Sequence, residues 1–181
     1  MLIIIVPETE LFNDKTQSFQ IVPQKELRLE HSLVSISKWE AKWKKPFLGK
    51  DPMTYEQTVD YIRCMTITQN VNPLTYQCLS VDNIEKVKDY IDDPMTATWF
   101  NKKHGSGPKN NSVITSEILY WQMIALEIPM ECQTWHLNRL LTLIRVCSEK
   151  NQPGKKMSKR DILNRNRSIN AARRARLGSK G

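Results

Sequence analysis

Apolar positions along this chain follow two different periods, and the change falls near Ser32. Before it, Leu2 to Val6 is a largely β-branched apolar run, Phe19 and Ile21 flank a polar Gln20, and Leu27 and Leu29 alternate with Glu26 and Arg28. A period of two with β-branched residues predicts strands. Asn13-Asp14-Lys15 is turn chemistry, and Pro7 and Pro23 stand at strand ends, where a missing N–H does little harm. Residues 1–30 are therefore expected to form a short β-meander.

From Ser32 onward the step becomes three and four. Leu33, Ile36, Trp39 and Trp43 recur with Lys38, Glu40, Lys42 and Lys44 between them, an amphipathic helix stopped by Pro46. Thr54 and Gln57 form a capping box for a second helix with Tyr55, Val59 and Ile62 as its apolar face. Asn70 to Pro73 breaks the pattern. Ser80 caps a third helix carrying Ile84, Val87 and Ile91, closed by Asp92-Asp93-Pro94. Met95 to Phe100 reads as a short strand-like piece, and Asn101 to Ser112 as an exposed, mobile loop. A strongly apolar segment runs from Thr115 to Ile128. Thr134 is the expected cap of the last core helix, whose Leu137, Leu140, Leu141, Ile144 and Cys147 make a continuous stripe. Asn151 to Gly154 is hinge chemistry. Ser158 and Asp161 then form a capping pair for a basic helix in which Ile162, Leu163, Ile169 and Leu177 are too few to pack firmly. The expected fold is α+β and mostly helical. The β-meander occupies 1–30, the helical core of the same domain 31–150, and a basic C-terminal tail or helix 151–181.

Charge sharpens that division. Residues 150–181 hold eleven Lys and Arg against one acid, Asp161, so about +10 of charge sits in the tail and about −2 in the body. All five Trp fall within the first 135 residues, which places the end of the core near Cys147. Forty per cent hydrophobic residues exclude a disordered chain. Met1 to Val6 is too short for a signal segment, has no basic region and meets Pro7-Glu8 at once. No apolar run approaches the roughly eighteen residues that span a bilayer. These features predict a protein that is soluble and cytosolic, or part of a particle assembled in the cytosol.

Catalytic chemistry is hard to assemble from these residues. His31, His104 and His136 are far apart in sequence; Glu30-His31-Ser32 invites a hydrolase reading, but no nucleophile elbow, zinc-protease helix or phosphate loop accompanies it. Cys64, Cys78, Cys132 and Cys147 contain no C-x-x-C pair, so reduced thiols inside apolar segments are expected. Cys132 and His136 share a helical spacing but lack the second pair that a metal needs. No cofactor and no metal are expected.

Two segments are candidate partner contacts. In the tail, Arg160, Arg165, Arg167, Arg173, Arg174 and Arg176 outnumber lysine from Arg160 onward. The planar guanidinium fork suits carboxylate or phosphate, so an acidic protein and a nucleic acid are both admissible partners. A solvated terminus is the bland alternative. The tail contains no aromatic residue, which argues against base stacking. In the first helix, Trp39 and Trp43 stand one turn apart among lysines. They read either as a binding face or as a core face with lysines around it, and their spacing with Leu33 and Ile36 favours the core.

Several segments read in order resemble a known family. They are Leu29-Glu30-His31-Ser32-Leu33-Val34-Ser35-Ile36-Ser37-Lys38-Trp39-Glu40, Asp60-Tyr61-Ile62-Arg63-Cys64-Met65-Thr66, Met95-Thr96-Ala97-Thr98-Trp99-Phe100, Trp135 through Cys147, and Asn170-Ala171-Ala172-Arg173-Arg174. Together they resemble small proteins of tailed bacteriophages classed as tail assembly chaperones. The resemblance implies a non-enzymatic factor of virion morphogenesis in the host cytoplasm. It would bind the tape-measure protein or tail-tube subunits and be absent from the finished particle. A minor structural protein of the tail or head–tail junction, or a nucleic-acid-binding accessory protein, would suit the same strands and basic tail.

Overall fold

A computed structural model describes residues 1–13, 17–49, 51–100, 113–151 and 159–178. The expected loop from Asn101 to Ser112, with His104, and the Ser158 cap lie outside the described residues. Four strands open the chain: β1 (Leu2–Val6), β2 (Thr9–Asn13), β3 (Ser18–Val22) and β4 (Lys25–Leu29). β1 pairs antiparallel with β4 and β2 with β3, so the order is nested where a meander would be sequential. The pairs Leu2–Leu29, Val6–Lys25, Thr9–Val22 and Asn13–Ser18 belong to one unbroken register. The two ladders are thus halves of a single long hairpin. It is interrupted where Pro7-Glu8 opposes Pro23-Gln24, because each arm there has a residue without an N–H to donate.

The interruption also changes which face is covered. Ile4, Val6, Leu27 and Leu29 are buried on the inner half of the ribbon. In the same register Phe12 and Phe19 share their side, yet both are exposed, and Val22 from the opposite side is buried instead. Ribbon twist across the proline break accounts for the exchange. At the outer half Phe12 and Phe19 stack edge to face with centroids 5.2 Å apart.

The helices follow: α1 (Leu33–Trp43), α2 (Tyr55–Met65), α3 (Val81–Asp92), α4 (Ser116–Ala125), α5 (Leu137–Asn151) and α6 (Lys159–Leu177), with short 3₁₀ segments at Pro73–Cys78 and Met130–Thr134. Local sequence sets their starts. The Ser32 hydroxyl accepts the Ser35 N–H, Thr54 accepts that of Gln57, and Ser80 accepts that of Asn83. The Gln57 side chain returns to the Thr54 N–H, completing the box read from the sequence. α1 ends at Lys44, which takes a left-handed conformation before Pro46 is reached. Three expectations are corrected. Tyr61, Ile62 and Met65 form the buried face of α2, while Tyr55 is exposed. Met95–Phe100 is not a strand, and its Trp99 is 87 % exposed. Thr134 does not cap α5, since its hydroxyl donates to the Glu131 carbonyl; His136 takes that place, accepting the Asn138 N–H on Nδ1 and the Leu140 N–H on its carbonyl.

One core joins ribbon and helices. Leu27, Leu29, Leu33, Ile36, Ile62, Met65, Leu119, Met123, Leu137 and Leu140 are all buried within it, and Ile144 is its last member along the chain. The chain divides into two compact units, Met1–Ser148 and Glu149–Gly181. Leu137, Leu140 and Ile144 are the buried positions of α5, so its stripe is core. Leu140→Ala is expected to lower unfolding free energy by about 2–5 kcal/mol in urea denaturation. A near-neutral result would show that the stripe serves something other than this core.

Candidate partner-binding surfaces

Trp39 does not form a binding face. It is 2 % exposed, its indole N–H donates to the Gln57 carbonyl at 3.0 Å, and Phe47 meets its ring edge-on at 5.4 Å. Burial of a large ring with its one donor satisfied is the core solution. Trp43 is half-buried, and its N–H donates to Asp60 Oδ2 at 2.9 Å. Lys42 pairs with the other Asp60 oxygen. Both tryptophans therefore fasten α1 to α2; burial leaves Trp39 no surface for the partner contact expected of it, whereas Trp43 keeps part of its ring exposed.

The histidines, distant in sequence, meet in the interior. The rings of His31 and His136 pack at 5.0 Å between centroids, and Tyr90 packs on His136 at 4.9 Å. His31 Nδ1 lies 2.6 Å from the Tyr61 hydroxyl, and Glu30 Oε1 accepts the Tyr90 hydroxyl at 2.6 Å. Because His136 Nδ1 accepts the Asn138 N–H, its proton sits on Nε2 and is donated to the Tyr90 carbonyl at 2.9 Å. Burial lowers the pKa of His31 to about 3, so the imidazole is neutral and shares its Nδ1 hydrogen bond with the Tyr61 hydroxyl. Burial likewise pushes the Tyr61 hydroxyl well above its usual range. The Ser32 hydroxyl is occupied by its helix cap. Glu30-His31-Ser32 is thus a buried structural junction, with its nucleophile and base candidates both engaged.

Cys78 and Cys132 are buried; Cys64 and Cys147 are partly exposed, and all four are free thiols. Among the described residues no group of three or more His, Cys, Asp and Glu side chains is placed to hold a metal, and no helix is long and apolar enough to cross a membrane.

α6 carries the tail arginines on a regular helix with every described residue exposed. Lys159 to Leu177 holds seven bases and one acid. Arg160, Arg167 and Arg174 recur every seven residues, about 10.5 Å apart along the axis. Arg165 and Arg176 lie on the other flank. Between the two rows, within about a third of the circumference, fall Ile162, Leu163, Ile169 and Leu177, interrupted by Asn166, Asn170 and Arg173. The opposite side is small and mostly neutral: Asn164, Ser168, Ala171 and Ala175. The arginines therefore flank a narrow apolar stripe, an arrangement suited to lying on an amphipathic surface.

A second surface escaped the sequence reading. α4 buries Ser116, Leu119 and Met123 and turns Trp121 and Ile124 outward at 65 % and 68 % exposure, with Glu117 and Ala125 beside them. The flanking chain adds Val113, Ile114 and Met130, all exposed. A helix apolar on every side belongs inside a protein or against a partner. Its inner side is fixed by Glu40, a buried carboxylate that accepts the Ser116 N–H at 2.8 Å and the Phe47 N–H at 2.8 Å. Glu40 thereby supplies the N-terminal cap that Thr115 does not. Residues 113–131 contain Glu117, Glu127 and Glu131 and no Lys or Arg. Its own backbone N–H and the Thr115 hydroxyl hold the Glu117 carboxyl below its ordinary pKa, so it is ionised at neutral pH.

The lowered pKa of His31 fixes the sign of one pH effect. Between its ordinary 6.5 and about 3 the unfolded chain binds a proton that the folded chain refuses. This stability is present above pH 6.5 and is lost as pH falls toward 3, by up to about 1.4 kcal/mol per pH unit. Urea denaturation of a His31→Gln variant is expected to show a shallower dependence on pH between 6 and 4 by up to about that amount. An unchanged slope would mean that His31 is protonated in the folded protein. No protein-family model, curated protein or solved structure matches this chain.

Proposed function

We propose that this protein is a non-enzymatic factor of phage tail morphogenesis, a tail assembly chaperone that binds the tape-measure protein or tail-tube subunits. The observation that carries the reading is α6, a regular Arg-rich helix without one buried residue, taken with the resemblance of the segments from Leu29 to Arg174. Arginines pair with carboxylates through two parallel hydrogen bonds, and exposed pairs are individually weak and screened by salt. A row of them holds an acidic client without committing to it, which is what a partner that must leave before the tube closes requires. Arg160, Arg165, Arg167, Arg173, Arg174 and Arg176 are the contacts in this reading. The exposed apolar face of α4 supports it as a second surface of the kind that long helical clients use.

Mass spectrometry separates this role from its alternatives. The protein should co-purify with the tape-measure protein from infected cells and be missing from purified particles. Arg167→Glu with Arg174→Glu should weaken that capture about tenfold, the result of losing two exposed pairs and adding repulsion. A fixed copy number in particles would make it a structural component. A DNA mobility shift with a steep salt slope, abolished by removing 155–181, would make it a nucleic-acid-binding protein.

A further inference from the structure

Two of the exposed apolar surfaces among the described residues are reciprocal in chemistry. One is apolar with acidic borders: Trp121 and Ile124 on the outer side of α4, with Glu117, Glu127 and Glu131 as the charges of residues 113–131. The other is apolar with basic borders: Ile162, Leu163, Ile169 and Leu177 on α6, between Arg165 and Arg176 on one flank and Arg160, Arg167 and Arg174 on the other. Laying one on the other removes both apolar faces from water and sets carboxylates opposite guanidiniums. Ile162 and Ile169 are about 10.5 Å apart along α6, enough to bracket Trp121 and Ile124, which are about 4.5 Å apart along α4. α6, at about 28 Å, is long enough to cover all of α4, which is about 15 Å.

We propose that α6 of one copy packs across the outer face of α4 of a second copy, with Ile162 and Ile169 against Trp121 and Ile124 and the flanking arginines against Glu117, Glu127 and Glu131. Each copy then both gives a helix and receives one, so two copies close a reciprocal dimer with both surfaces covered twice. The occupant is identified by charge. The charges carried by residues 113–131 themselves are all acidic, with Lys44 and Lys45 of the α1 end beside Glu117 alone, and among the described residues α6 combines an apolar stripe with a large positive charge. The inference does not rest on the phage reading, since it uses only the two surfaces. Where a client also takes the stripe of α6, client binding and self-association exclude each other.

The test uses the full chain. A photoreactive benzoylphenylalanine at Ile169 is mixed with unmodified, heavy-isotope-labelled copies, irradiated and mapped by mass spectrometry. Cross-links from the Ile169 peptide to heavy peptides within 113–131 are expected. Cross-links confined to the same copy, or to other surfaces, would overturn the proposal. Sedimentation supplies a second readout that does not depend on one probe. Glu117→Arg with Glu131→Arg should weaken self-association about tenfold or more, as should Arg167→Glu with Arg174→Glu. Mixing the two variants should restore the dimer, because each basic surface then meets an acidic one. Failure of the mixture to associate, or a wild-type chain that stays monomeric, would overturn the inference. A monomer that still captures the tape-measure protein would do so while leaving the proposed function standing.

Discussion

The body of this protein depends on three consecutive residues, Glu30, His31 and Ser32, where the ribbon ends and the helices begin. Glu30 donates its N–H to the Met65 carbonyl at the end of α2 and receives the Tyr90 hydroxyl from α3. The His31 carbonyl accepts the Leu137 N–H at 2.7 Å at the start of α5, and its ring meets Tyr61 of α2. Ser32 caps α1 and bridges to His136. Polar groups buried this deeply are stable only when their hydrogen bonds are made. Among the described residues, no buried side-chain nitrogen or oxygen lacks a partner. The junction thus ties β4, α1, α2, α3 and α5 into one unit by satisfying groups that would otherwise be costly to bury.

Glu40 performs the same service for α4. By capping that helix from α1 it fixes which side of an all-round apolar segment faces the core, and so also fixes what is left outside: Trp121 and Ile124. The surfaces available to partners are consequences of how the body closes. Leu119 and Met123 are consumed by the core, whereas the stripe of α6 is consumed by nothing within its own helix.

What the residues disclosed in advance divides by range. Thr54 with Gln57, Ser80 with its following turn, and the stripe of α5 were legible because caps and periodicity are local. The nested register was not, because β2 carries only Leu11 and Phe12 as apolar signals and its pairing follows from a proline break that acts on both arms at once. The α2 face was misjudged by taking Tyr55 over Tyr61, since one-turn spacing alone does not say which side meets the ribbon. His31 and His136 come together through the fold, and no local pattern announces it. For the sites, the Arg-rich helix was plain from composition. Trp39 and Trp43 were ambiguous from spacing; burial and the hydrogen bond to Gln57 put Trp39 in the core, while Trp43 bonds to Asp60 and stays partly exposed. The outer face of α4 had one signal, a segment apolar at every phase of the helical period.

The core built around Glu30, His31 and Ser32 draws no buried residue from the arginine helix. Thermal unfolding of the chain lacking residues 155–181 measures this directly. One cooperative transition is expected, within about 3 °C of the full-length midpoint, because so little apolar surface is lost. A broad, non-cooperative transition, or a midpoint lower by about 10 °C or more, would show instead that the arm is part of the core.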